Sequence, residues 1–302
     1  MRGIRELWQY REVLLQLVRR NLKVRYKNSV LGFFWSFLNP LLQILVYWFV
    51  FGVVFGAKEK NYGPKLFAVF LPWLFFQQTV LDSAACVLQD MPLVKKAYFP
   101  RTILPLSTVL SNLVHFFLGF LVLLIIYRAV PISFTWSFLL VIPLTLLLTL
   151  FAYGLSLIVS SLSVFYSDVK FIISTFMLLW LFLSPILYSV GMLLEKKPED
   201  LLARGGMVAG LAGALPAIKF VYISNPLAPI LIGYRSALLE GGANPIPLDP
   251  PSFQGEPHYP TSLRRAFPYR TFLAISCAFT LFTLAVGYAV FRRLERSFPE
   301  HG

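Results

Sequence analysis

Ile4, Leu7, Trp8, Arg11, Leu14, Leu15, Val18 and Leu22 recur at three- and four-residue spacing, while Arg5, Glu12 and Arg19 lie a heptad apart on another face. The pattern predicts an amphipathic helix lying in a membrane interface with basic residues at its flanks. The alternative is a plain juxtamembrane helix whose charges only fix topology. At residues 26–41 the pattern changes solvent: the basic side chains end at Lys27, and after Gly32 an apolar run of more than twenty residues begins.

Six apolar runs follow, at residues 33–55, 66–88, 103–127, 138–164, 171–190 and 272–291. Each is long enough to cross about 30 Å of hydrocarbon at 1.5 Å per residue. The predicted fold class is therefore an all-α polytopic membrane protein with six transmembrane helices. It forms a single transmembrane domain over residues 1–302. Residues 1–32 are the amphipathic interface segment, 33–190 the first five spans, 191–270 an extracytoplasmic loop with short helices, and 271–302 the last span and tail. The first run is too long for a signal-peptide core and lacks a small-residue cleavage site, so a retained span is expected.

Composition agrees with this class and excludes a soluble domain: 57% of the 302 residues are hydrophobic and 14% charged, with a mean hydropathy of +0.70. The net charge of +13 changes the picture only through its location. Fifteen lysines and arginines fall at the chain ends and in the second and fourth loops, against four in the first and third. Both ends are thus expected in the cytoplasm, in a multi-pass protein of the cytoplasmic membrane, with basic segments drawn to anionic lipid rather than to nucleic acid. Cys86 and Cys277 each sit in an apolar run and read as packing residues.

Candidate chemistry is sparse. Asp82 and His115 are the ionisable residues inside the spans; such residues are functional candidates by default. Asp82 lies near the cytoplasmic end and suits a structural or capping role, and His115 suits a hydrogen bond to a neighbouring helix. Prolines at 40, 72, 105, 143 and 185 predict kinks. No Walker-type glycine-lysine motif, metal-ligand cluster or paired-carboxylate constellation is present, so neither a catalytic residue nor a metal ligand is assigned, and any energy source lies on another chain.

The second loop, residues 89–105, is the informative one. Asp90 and Pro92 suit the start of a short helix and Pro100 its end, with apolar and basic side chains between them. This amphipathic helix between two spans suits docking into a partner's groove; the bland alternative is that its charges fix topology only.

Residues 26–41, the loop 93–105 with its Lys-Ala-Tyr-Phe-Pro-Arg core, the short loop 165–169, and the Ser-Asn-Pro-Leu-Ala-Pro stretch at 224–229 together resemble the permease subunit of type-2 ABC exporters of polysaccharides, O-antigen and teichoic acids. The resemblance covers nearly the whole chain in order. It implies a homodimer working with two separate ATPase subunits, with ATP and magnesium on the partner and no cofactor on this chain. The cargo would be a lipid-linked glycan moved outward. It further implies that the first helix, with Trp8, Arg11, Arg19 and Lys23, lies at the ATPase interface. The helix from Asp90 to Phe99 would be the coupling helix, where Lys95, Lys96 and Arg101 meet acidic partner residues and Met91, Leu93 and Phe99 fill apolar pockets. Two features depart from the family pattern: Ser167 stands where an arginine is common, and the fifth loop is long.

In that loop, residues 201–217 and 229–239 read as short re-entrant or surface helices on the outer side, the second ending at Glu240-Gly241-Gly242. The resemblance makes them a gate; a passive cap is the alternative. The proline-rich stretch 244–260 reads as irregular. The resemblance also places the first and fifth spans along the export path, with Trp35, Tyr47, Phe176 and Trp180 as candidate lining residues, although aromatic residues in spans usually pack or anchor. A permease for drugs or lipids, or a membrane-embedded glycan enzyme, are the remaining alternatives.

Overall fold

The computed structural model describes residues 8–25, 27, 34–55, 62–96, 98–129, 136–187, 224–239 and 269–298. Regular structure among these residues is helical throughout. In chain order the helices are α1 (Arg11–Arg25), α2 (Trp35–Tyr47), α3 (Tyr62–Gln89), α4 (Met91–Lys96), α5 (Ile103–Ala129), α6 (Val141–Phe165), α7 (Val169–Phe182), α8 (Leu227–Leu239) and α9 (Tyr269–Leu294). Among the described residues, four helical stretches are long and apolar enough to cross a membrane: Tyr62–Gln89, Ile103–Arg128, Phe138–Phe165 and Thr271–Ser297. They match the second, third, fourth and sixth expected spans.

The first and fifth expected spans come out differently. α2 runs for 13 residues with Pro40 inside it and then loosens into a seven-residue π-type segment, Trp48–Val54. There the Phe55 N–H reaches back to the Val50 carbonyl at 2.9 Å. α7 stops at Phe182 after 14 residues instead of continuing toward residue 190. Pro185 supplies the reason, since its ring cannot donate to residue 181 and clashes with that turn. The Leu181 carbonyl freed in this way accepts the Ser184 N–H at 3.3 Å, and past the helix end Asn225 Nδ2 donates to the Leu183 carbonyl at 3.1 Å and to Ser184 Oγ at 2.9 Å.

α8 is the largest surprise of burial: all 13 of its residues are buried. It packs against α3, α6 and α9, so this piece of the fifth loop lies inside the bundle rather than on its surface. Its N-terminus is set by the same Asn225, whose Oδ1 accepts the Leu227 N–H at 3.0 Å. Ser276 donates to the Pro226 carbonyl at 2.6 Å and Tyr269 to the Pro229 carbonyl at 2.8 Å, which fastens α8 to α9. Residues 201–217, expected as its companion, and the 244–260 stretch lie outside the described residues.

Two apolar clusters hold the bundle. The larger joins α3, α5, α6, α7 and α8, with Phe76 and Phe151 stacked at 5.4 Å near its middle. The smaller gathers Leu17 of α1, Val87 of α3, Met91 of α4, Ile103 of α5, Val164 of α6 and Phe291 of α9 at one end. Lys95, Lys96, Arg101 and the arginines of α1 and of the α9 terminus all belong to that end, called the basic end here. Most serines and threonines buried in α5 and α6 return their hydroxyls to carbonyls of their own helix, as with Ser107 to Leu104 at 2.8 Å and Ser163 to Val159 at 2.7 Å.

α6 and α9 run side by side and touch through glycines. A Cβ at Gly287 would lie 2.3 Å from the Gly154 carbonyl oxygen, and one at Gly154 would lie 2.9 Å from the Leu284 nitrogen. Close backbone approach of this kind drives helix association where lipid competes for apolar faces. At Gly119 the nearest atom is the flexible Leu71 Cδ1, at 2.7 Å. Gly287→Ala is therefore expected to destabilise by about 1–3 kcal/mol of overpacking. That exceeds the roughly 0.5–1 kcal/mol an alanine otherwise gains over glycine in a helix. Gly119→Ala should be close to neutral. Thermal unfolding of the detergent-solubilised protein checks the contrast; equal melting temperatures would contradict it.

Candidate functional site: a basic platform on the helical bundle

α1 lies against α5 with Leu17 and Val18 buried beneath it. This agrees with the expected amphipathic helix from Arg11 onward; residues 1–7 lie outside the described residues. Trp8 is 71% exposed and carries the Arg11 guanidinium 5.2 Å above its ring. Arg19 and Lys23 are exposed. These four residues thus share the outward side of the helix, the side a partner or headgroups would meet.

The inward side is fastened by a polar ladder that the sequence did not announce. Arg20 Nη2 donates to Asp90 Oδ2 at 2.6 Å. Asn21 Nδ2 donates to Ser107 Oγ at 3.3 Å. Arg25 donates from Nη1 to Asn112 Oδ1 at 2.9 Å and pairs through Nη2 with Asp82 Oδ2. Asp82 also accepts from Gln78 Nε2 at 2.7 Å and from Asn112 Nδ2 at 3.0 Å. The lone membrane acid is thus one member of a four-residue network joining α1, α3 and α5. Its structural role holds, and its partner is Arg25, 57 positions away in the chain.

α4 spans Met91–Lys96, shorter than the expected 90–99. Asp90 begins it by accepting the Leu93 and Val94 N–H groups at its carbonyl, both at 2.9 Å. Tyr98 and Phe99 lie outside the helix, and Pro100 bars Phe99 from helical backbone. The residues expected to face a partner divide. Met91 is buried, and Leu93 and Phe99 pack at the edge of the same end cluster. Arg101 Nη1 donates to the Glu295 carbonyl just past α9, and its guanidinium sits 6.0 Å from the Phe298 ring. Lys95 and Lys96 are exposed, and Tyr98 is 100% exposed. The outward chemistry of the loop is two ammonium groups and a phenol, held on an apolar base.

The four aromatic residues expected along a path also divide. Trp180 packs edge-on against Phe76 at 5.3 Å and donates from Nε1 to Asn225 Oδ1 at 2.9 Å. Tyr47 is half-buried against Phe70 at 4.9 Å. Trp35 and Phe176 stay exposed at 43% and 45%. Trp35 borders a cleft between α2, α3 and α5 whose wall includes Asn39, Gln43, Gln78, Asn112 and His115. Only His115 among these was singled out by sequence. The signal available was the i, i+4 pair Asn39 and Gln43 inside an apolar span. Among the described residues no cluster of histidine, cysteine and acidic side chains fits a metal ion.

A helical bundle with four membrane-length helices among the described residues and a short helix at its basic end is the architecture of a polytopic membrane protein. Residues 12–197 match the family model described as ABC-2 type transporter, and the chain belongs to that family, as a transport subunit and not an enzyme. It is 32% identical over 231 residues to the O-antigen export system permease protein RfbA of Myxococcus xanthus, covering 76% of this chain and 89% of that protein. It is 30% identical over 238 residues to the protein of the same name from Klebsiella pneumoniae, covering 77% and 82%.

The network at α1 predicts a specific asymmetry. Arg25→Ala leaves a partly buried carboxylate without its cation and is expected to lower stability by about 1–3 kcal/mol, whereas adding Asp82→Asn should recover part of that loss. Thermal unfolding of the two variants measures this; a double variant less stable than Arg25→Ala would contradict it.

Proposed function

We propose that this chain is the membrane-spanning permease of an ATP-driven exporter that moves a lipid-linked polysaccharide of the O-antigen kind outward across the cytoplasmic membrane. The observation that carries the proposal is the likeness to O-antigen export permeases over more than three quarters of the chain. In this proposal two copies of the chain pair with two ATPase subunits, which bind ATP and magnesium, and both termini lie in the cytoplasm with the basic end.

The geometry supports this assignment through α4. A six-residue helix seated on an apolar base, with Lys95, Lys96 and Tyr98 turned outward, suits a groove with acidic and aromatic residues on a cytoplasmic motor. Asp90 ties that helix to α1, so a push on either element reaches the other. α3 and α5 begin or end at α4, which puts two membrane helices directly behind the contact.

Lys95→Glu combined with Lys96→Glu reverses the outward charge without touching the apolar base. Surface polysaccharide in cells carrying the variant is expected to fall by about tenfold or more, the scale of a lost interfacial charge pair. Protein level in the membrane should stay unchanged, and Lys95→Arg with Lys96→Arg should retain export. Wild-type export by the charge-reversed variant would refute the coupling role.

A further inference from the structure

The segment that follows α4 is held from a second side. Arg101 Nη1 donates to the Glu295 carbonyl, 194 positions away in the chain. The same oxygen accepts the Phe298 N–H that closes the short 3₁₀ turn Glu295–Ser297, so both lone pairs of one carbonyl are taken. This carbonyl lies just past the end of α9, where carbonyls lack partners within the helix and the helix dipole favours a cation. The Glu295 carboxylate is engaged by Arg292 at 2.9 Å. The group that Arg101 meets is therefore the backbone terminus of α9.

Phe298 makes this more than a capped helix end. Its side chain is fully buried, its ring 5.4 Å from Phe291 of α9 and 6.2 Å from Phe165 at the end of α6. The Arg101 guanidinium sits 6.0 Å from the same ring. A cation over an aromatic face gains more as water is excluded. One ring thus touches the ends of α6 and α9 and the segment that follows α4. Further along, α6 and α9 meet backbone to backbone at Gly154 and Gly287.

The length of α4 gives these contacts a mechanical meaning. Six residues make a helix about 9 Å long at 1.5 Å per residue. Asp90 ties its start to Arg20 of α1. A short helix fixed at one end pivots under a push, whereas one fixed at both ends passes the push to the elements that hold it. Arg101 supplies the second fixed point.

We infer that Phe298 and the Glu295 carbonyl form a clasp on Arg101, which makes Phe298 a positioning residue that passes displacement of α4 on to α9 and α6. This transmission rests on the docking role of α4 proposed above. The clasp also engages the Arg101 guanidinium within the chain, in place of an acidic partner residue.

Hydrogen exchange read by mass spectrometry on the permease–ATPase assembly in nanodiscs tests the clasp. Phe298→Ala is expected to raise amide exchange roughly three- to tenfold in residues 98–104, the scale of one lost charged hydrogen bond or ring contact. Packing confined to the end of α9 would raise it only in residues 284–298. Phe298→Leu keeps apolar volume and loses the ring face; it should raise exchange at 98–104 while 284–298 stay protected. Export per ATP hydrolysed should fall severalfold in both variants while hydrolysis continues. Unchanged exchange at 98–104 in both variants, or wild-type export per ATP in both, would overturn the inference. Raised exchange at 98–104 together with wild-type export after charge reversal of Lys95 and Lys96 would instead remove the docking role and leave the clasp.

Discussion

A carboxylate near the edge of the hydrocarbon must be paired or hydrated, and α3 carries Asp82 near its last turns, with Asp90 just past its end. Both are answered from α1, by Arg25 and Arg20. An amphipathic helix floating in the interface would be free to rotate and slide. This one has its register fixed by two ion pairs, the Asn21–Ser107 bond and the Arg25–Asn112 bond. Leu17 and Val18 below the ladder supply the apolar contact, but apolar contact alone does not select one register.

From that constraint follow two surfaces. On the outside of the platform, α1 presents Trp8, Arg11, Arg19 and Lys23 while α4 presents Lys95, Lys96 and Tyr98, and the Arg20–Asp90 pair makes the two a single body. On the inside, pairing with Asp82 removes the charge of Arg25 from the neighbouring cleft. What is left on its wall is amides, an imidazole and aromatic rings. Displacing α4 would strain, through Asp90 and α1, the same network that borders the cleft.

Hydropathy alone located the long helices well, because a run of twenty or more apolar residues has few alternatives to a membrane helix. The bracket of Asp90, Pro92 and Pro100 was also enough to place α4, to within three residues at its end. The pairings were hidden. Nothing in the spacing of Arg25 and Asp82 predicts that they meet, and a basic residue before a first span has a topological explanation ready to hand. The break after Phe182 was legible in principle from Pro185, yet apolar residues continue through it and hydropathy does not register it. Asn225 illustrates the same limit: one side chain caps α8, satisfies the Leu183 carbonyl and receives the Trp180 indole N–H, none of which a linear pattern encodes. The complete burial of α8 was equally invisible, since a short apolar helix reads alike whether it lies on a surface or inside a bundle.

The central claim is that α1 and α4 act as one body through Arg20 and Asp90. The most direct test compares ATP-driven export by the reconstituted permease–ATPase assembly carrying Arg20→Glu, Asp90→Lys, or both. The account predicts that each reversal alone impairs export severalfold and that the combined exchange, which restores an ion pair of opposite polarity, recovers most of it. A double variant at least as impaired as the product of the two single effects would contradict it.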